Sequence, residues 1–394
     1  MATLTVLGIN NKVRIINMLH SAPYRADHVG SLLRPAAVQA ARERCLTDPV
    51  GPDGFPTCDE LRKVEDDAIK EAVAMQERIG LQAVTDGEYR RSFWHYDFMG
   101  AMDGIELSEG GEGIQFHGLL LRPIQQKITG KVDFPDDHPM LDHFRYLASI
   151  TKVQPKISIP GPSCCHFRLT GNNIEPAEYA DLEVLFSDIA KAYEKAVQAF
   201  YDAGCRYLQM DDIFFTYLCD PAHREEKVAQ GVDPDWLITQ YAKMMHDAID
   251  GRPDDLVIGM HLCRGNFQST WAAEGAYDPA ADAVFNQTGV DVYFMEYDTE
   301  RAGGLEPLRL LPKGNKRVMP GFITTKQGEL ESVDDLKRRF DEASKFADIG
   351  QLGIAPQCGF ASTEEGNLVS ADEQKRKLEL VVQTAEVIWG GVNS

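Results

Sequence analysis

Short apolar runs alternate with long amphipathic stretches along most of the chain. Eight of the short runs read as strands: 24–30, 81–85, 156–159, 206–210, 256–260, 291–295, 316–319 and 351–355. Between them, apolar residues recur near helical spacing over 59–79, 175–203, 236–249, 278–287, 333–347 and 371–388. Gly80 and Gly204 stand where helices stop, Ser332 and Ser370 stand where N-caps belong, and Glu373 gives Ser370 a capping-box partner. Eight strands alternating with helices predict an α/β fold, a closed (β/α)8 TIM barrel. An open doubly wound sheet would carry a glycine-rich phosphate turn after its first strand. The turn here, Val29-Gly30-Ser31-Leu32-Leu33-Arg34, is not one. Residues from about 99 to 150 break the alternation and are rich in Gly and acids. They read as an insertion, or lid, between the second and third strands. A single domain over 23–394 follows, preceded by an extension over 1–22 that reads as an oligomer arm or a tail.

Composition narrows the function classes. The 394 residues are 43% hydrophobic, with 40 Lys plus Arg against 61 Asp plus Glu, a net charge of −21. Such an acidic surface repels phosphate backbones and anionic lipids, which argues against nucleic-acid and membrane partners. No apolar run approaches the ~20 residues of a membrane span. The first twenty residues lack acids and carry Lys12 and Arg14, without the order of a secretory signal. A cytoplasmic chain is expected, with an organellar presequence as the alternative; a homo-oligomer is left open. The eight cysteines have no disulfide rhythm and read as packing residues, nucleophiles or ligands.

Polar residues collect at the C-terminal ends of the expected strands: Ser31, Glu88, Asp211, His261, Cys263, Glu296 and Cys358. In a (β/α)8 barrel those ends form the active-site rim. His261 and Cys263 are two apart on an extended run, so both side chains face one way. A lone His-x-Cys is usually accidental. Together with Glu296 and Cys358 at other strand ends it makes a Cys2HisGlu set suited to tetrahedral Zn2+. Zinc bound by two thiolates is a weak Lewis acid but a good partner for another thiol, which it keeps deprotonated and nucleophilic. The expected chemistry is alkyl transfer to a thiol. The alternatives for individual residues are plain ones: Glu88 could pair with Arg90 or Arg91, and Asp211 could cap a helix. His28 could be a packing histidine at the rim, His95 beside Trp94 and Tyr96 could line the substrate mouth, and vicinal Cys164-Cys165 is more often buried than redox-active.

These segments resemble the cobalamin-independent methionine synthases, and more closely their short single-barrel relatives. The resemblance rests on Arg25-Ala26-Asp27-His28-Val29-Gly30-Ser31-Leu32-Leu33-Arg34-Pro35, Asp86-Gly87-Glu88-Tyr89-Arg90-Arg91, His261-Leu262-Cys263-Arg264-Gly265-Asn266, Phe294-Met295-Glu296-Tyr297-Asp298 and Pro356-Gln357-Cys358-Gly359-Phe360. It implies a barrel of the uroporphyrinogen decarboxylase/methionine synthase type and zinc on His261, Cys263, Glu296 and Cys358. It implies homocysteine held by Ser31, Glu88 and Asp211, and methyl transfer from a folate-type donor. Two places depart from the family pattern. Pro160-Gly161-Pro162 is followed by Ser163-Cys164-Cys165-His166-Phe167-Arg168, without the Trp that stacks on folate, so His166, Phe167 and Arg168 are expected to meet the donor. Lys326 stands near the family's proton-donating His, which makes it the candidate acid; His28 is a second catalytic candidate. The expected activity is zinc-dependent methyl transfer to a thiol, most simply homocysteine. The alternatives are another thiol alkyltransferase, similar to epoxyalkane:coenzyme M transferase or to corrinoid-linked enzymes, and a non-enzymic zinc- and thiol-binding barrel.

Overall fold

A computed structural model describes residues 22–45, 58–110, 113–169 and 171–393. Nearly all of the N-terminal extension, with its reading as arm or presequence, lies outside the described residues. The strands among them are β1 (Ala83–Val84), β2 (Asp103–Glu109), β3 (Gln115–Phe116), β4 (Leu119–Leu120), β5 (Ile124–Asp133), β6 (Gln154–Pro155), β7 (Ile157–Pro160), β8 (Tyr207–Asp211), β9 (Val257–Leu262), β10 (Val292–Glu296) and β11 (Arg317–Gly321). Strands β7 to β11 form one parallel sheet in chain order. β1 pairs in parallel with β6, and the Lys156 N–H donates to the Val84 carbonyl at 2.9 Å, carrying the ladder towards β7.

Closure of the ring differs from expectation. The runs 24–30 and 351–355 do not form ladders; they meet their neighbours through single parallel bridges, Ala26 to Ile354 and Val318 to Leu352. Side chains add to the few backbone bonds there, such as the Ile354 N–H to the Arg25 carbonyl at 2.7 Å. The Lys156 ammonium binds Asp27 Oδ1 at 2.7 Å and the His28 carbonyl. Gln209 donates to the Val29 carbonyl at 2.6 Å, Thr85 to the Gly30 carbonyl at 2.6 Å, and Arg25 to the Leu352 carbonyl at 2.7 Å. Gly30, at φ 140°, takes a backbone conformation that a Cβ would strain, and this bends the first stave away from a regular ladder. The result is still the closed eight-staved barrel.

The helices follow from their caps and apolar stripes. Asp59–Ile79 buries Leu61, Ala68, Ile69, Ala72 and Val73, then stops at Gly80 in the left-handed region. Ser332 caps Val333–Ala343, and Ser370 with Glu373 forms the expected capping box on Ala371–Trp389. The segment 99–150 divides in two. β2 and β5 pair antiparallel and β5 packs on helix Leu182–Asp202, while the β3–β4 hairpin at the tip reaches the cavity at the barrel mouth. Helix Pro139–Ile150 instead packs beside Asp59–Ile79 and Leu182–Asp202, so it belongs to the outer ring. A second correction concerns the cysteines. Cys45 and Cys58 are joined in a disulfide with Cα atoms 6.0 Å apart, whereas Cys164, Cys165, Cys205 and Cys219 are free and buried. Among the described residues, no helix is long and apolar enough to cross a membrane.

Candidate metal and substrate site

The barrel register brings the polar strand ends together. Asp211 pairs with His261 across β8 and β9, so their side chains meet at one level. His261 Nδ1 lies 3.5 Å from Asp211 Oδ1, while His261 Nε2 is buried without a hydrogen-bond partner. Cys263, two residues on, faces the same way. Its Sγ is 3.7 Å from Cys358 Sγ. One ligating atom from each of His261, Cys263 and Cys358 falls within a 4.8 Å group, all three residues buried.

This donor set fits a zinc ion. Two thiolates at ~2.3 Å on one tetrahedral ion lie about 3.8 Å apart, close to the sulfur separation found here. The orphaned Nε2 is the atom a metal would satisfy, and a carboxylate behind the other ring nitrogen is the usual orienting partner of a metal-binding histidine. Asp211 is itself held by Gln209 Nε2 at 2.7 Å. Burial pulls the His261 imidazole down, but the Cys358 thiolate and Asp211 push it up to about 10; burial pushes the Cys358 thiol up, but Cys263 and His261 hold it well below its ordinary value. The two loops that carry the cysteines are stitched by Asn266, which donates to the Gly359 carbonyl at 3.0 Å.

Glu296 is not brought into the group. Its carboxylate is bound by Arg301 on one oxygen and by the Arg264 backbone N–H, at 2.8 Å, on the other. Arg301 stacks on Trp271, which in turn stacks on His117 at the tip of the inserted hairpin, ring centroids 4.7 Å apart. Lys326 does not line the pocket either. Its ammonium is buried without a hydrogen-bond partner, and its charge acts on Glu296, Cys263 and Cys358 from behind.

The cavity beside the three ligands, about 40 Å3 in volume, is lined by Ser31, Glu88, Arg168 and Asp211 among others. Ser31 reaches it because Gly359 leaves room: a Cβ there would strike Ser31 Oγ. Glu88 sits at φ 60°, a strained backbone for a residue with a side chain, and such strain concentrates at functional sites. Its Oε1 accepts from Ser158 at 2.8 Å, Oε2 lies 3.6 Å from Arg91, and burial raises its pKa against the pull of Arg91. The expected alternative for Glu88 is therefore partly realised, with Arg91; Arg90 pairs with Glu65 and Asp66 instead. Asp211 caps no helix: the next one, Phe214–Tyr217, has Ile213 at its N-cap.

Three further candidates lie elsewhere. His28 points away from the cavity towards Gln76 of the outer helix, the opposite side of the stave from Ser31, and burial holds its pKa near 3. His166 Nδ1 bonds the Tyr241 hydroxyl at 2.8 Å, and Phe167 stacks on Phe214 at 4.3 Å, because the 3-10 turn Pro162–Cys165 swings both outward. Of that trio only Arg168 lines the cavity. His95 and Trp94 line it as expected, joined by Tyr217, Asn266 and the hairpin residues Ile114, Phe116 and Leu121. The hairpin residues had no signal in the sequence, whereas Asn266 lies inside a quoted motif.

Residues 29–386 match the model of the cobalamin-independent synthase catalytic domain. The chain belongs to this family. The uncharacterized protein YxjH of Bacillus subtilis is 46% identical over 369 residues, covering 93% of this chain and 95% of its own. A solved structure from Listeria monocytogenes, provisionally named a vitamin-B12 independent methionine synthase, is 38% identical, with a TM-score of 0.72 over 94% of this chain and 99% of that one. The 5-methyltetrahydropteroyltriglutamate–homocysteine methyltransferase of Mycobacterium leprae is 23% identical over 343 residues, 86% of this chain but 40% of that protein. The cobalamin-independent synthase fold thus accounts for the barrel.

Proposed function

We propose that the protein is a zinc-dependent methyltransferase acting on a thiol, with homocysteine as acceptor. The observation that carries this reading is the pair of buried thiols 3.7 Å apart beside His261, opening on a cavity that also holds Glu88 and Asp211. His261, Cys263 and Cys358 would hold the zinc; Glu296 would join them only on leaving Arg301. Bound there, zinc supplies a way to keep the acceptor sulfur deprotonated yet nucleophilic near neutral pH. The chain's own residues do the rest. The Oε2 of Glu88, which faces Arg91 but accepts no hydrogen bond, and the carboxylate of Asp211 take the acceptor's ammonium, and Ser31 takes its carboxylate. The hairpin residues Phe116 and Leu121 cover the cavity, excluding water from the reacting sulfur. The methyltransferase relative of M. leprae supports the same acceptor.

The test is turnover of homocysteine by zinc-loaded protein with methyl-folate, methylcobalamin and S-methylmethionine in parallel. Methionine is expected with at least one donor. Failure with all three, and with glycine betaine as a fourth donor, refutes the reading.

A further inference from the structure

The same cavity carries unsatisfied polar atoms that neither the metal group nor the acceptor uses. Both ring nitrogens of His95 are buried without a hydrogen-bond partner, as is Arg168 Nε, and both residues line the cavity. His95 is 3% exposed and is clamped between Trp94 and Tyr96, with ring centroids 4.4 and 3.9 Å away. Arg168 lies over the faces of Phe214 and Tyr217, 5.3 and 5.5 Å from their centroids, so its guanidinium is fixed. A buried polar group left unpaired costs ~1–3 kcal/mol, and a guanidinium beside an imidazole N–H is a receptor for an anionic oxygen. Stacked aromatic rings next to it are a receptor for an onium cation.

A second observation concerns the proton. A donor that leaves as an amine anion needs an acid at its nitrogen. Lys326, the expected acid, does not line the cavity, and burial, then the nearby Arg168 charge, holds His95 well below the ordinary imidazole value, so it stays neutral. An onium donor needs no acid. In that step the sulfur–methyl bond forms as the methyl–onium bond breaks, the bonding pair stays on the leaving atom, and it departs as a neutral sulfide or amine.

Resting on the methyltransferase reading, we infer that the methyl donor is a small sulfonium or quaternary ammonium compound bearing a carboxylate, its carboxylate held by Arg168 and His95 and its onium centre against the Trp94 side of the cavity. The pocket is then polarised: carboxylates receive the acceptor's ammonium at one end, and cationic and N–H groups receive the donor's carboxylate at the other.

The experiment compares kcat/KM of the zinc-loaded full chain, at saturating homocysteine, for S-methylmethionine, glycine betaine, trimethylsulfonium, methyl-folate and methylcobalamin. At least one carboxylate-bearing onium donor is expected to exceed trimethylsulfonium by about 10–100-fold, the scale of a charged hydrogen-bonded pair. Arg168→Met should collapse that ratio towards one by raising the donor's KM, and Arg168→Lys should restore part of it. His95→Gln, a smaller change that keeps hydrogen-bonding atoms, should weaken the ratio too; quenching of Trp94 fluorescence by the donor gives its binding separately from turnover. Methyl-folate or methylcobalamin as the better donor, or an Arg168→Met effect on the KM of homocysteine instead, overturns this inference and leaves the methyltransferase reading standing. No turnover with any donor overturns both.

Discussion

Replacing Lys156 with Met tests how the barrel holds the stave that carries Ser31. Lys156 is fully buried, its Nζ is 2.7 Å from Asp27 Oδ1, and it also donates to the His28 carbonyl. Burial lowers the ammonium's pKa and Asp27 pulls it back up, as expected of an ion pair sealed from water. Breaking a buried pair costs about 3–5 kcal/mol, because one charge is left uncompensated. Asp27 would keep the His28 N–H at 2.7 Å and the Tyr207 hydroxyl at 2.7 Å, so the low end of that range applies. The expected loss is ~3 kcal/mol of unfolding free energy, read by urea denaturation at constant pH. Asp27→Asn with Lys156→Met removes both charges, and the double variant should fall short of the sum by about 2 kcal/mol. Lys156→Met should also raise the KM for the acceptor, because the stave leading to Ser31 loses one of its anchors. A loss under ~1 kcal/mol, the value of an exposed pair, would refute this reasoning, as would strict additivity.

Three other outcomes are expected. Asp211→Asn removes the charged partner of His261 Nδ1 and should weaken zinc binding about 10–100-fold in a chelator competition, with the fold unchanged by circular dichroism. His166 is buried and held near 3, so below the ~6.5 of a free imidazole the unfolded chain takes the proton first. Its contribution to stability therefore falls as pH drops from about 6.5 towards 3, at up to ~1.4 kcal/mol per pH unit, and His166→Gln should flatten that limb of the stability–pH curve; parallel curves would contradict it. Phe116→Ala removes the hairpin side chain that packs on Phe267 at 5.3 Å, and should raise the acceptor KM several-fold while leaving zinc content unchanged by elemental analysis.

Much of the frame was legible in the sequence because it depends on local rules. The helices between Asp59–Ile79 and Ala371–Trp389 came from spacing and caps, and Gly80, Ser332 and Ser370 act as their positions imply. His261, Cys263 and Cys358 were legible because strand ends meet at one rim of a barrel. Strands 24–30 and 351–355 were overstated: periodicity cannot tell a laddered strand from a stave held by Lys156, Gln209 and Thr85. Glu296 was placed with the ligands because its position on β10 is right, but Arg301, five residues later, takes its carboxylate. His166, Phe167 and Arg168 follow the same Pro160-Gly161-Pro162 segment, but after its 3-10 turn only Arg168 lines the cavity. The Cys45–Cys58 disulfide escaped notice because two cysteines 13 apart in a cysteine-poor chain carry no pattern.

In the proposed function, a zinc ion on Cys263 and Cys358 would accept the substrate sulfur. Zinc-edge X-ray absorption of the purified protein, before and after homocysteine, tests it most directly. One zinc with two sulfur neighbours is expected, rising to three when homocysteine is added, since Cys263 and Cys358 are the thiols in the group. Zinc that keeps its sulfur count unchanged on addition of homocysteine, or protein that binds no zinc, would contradict it.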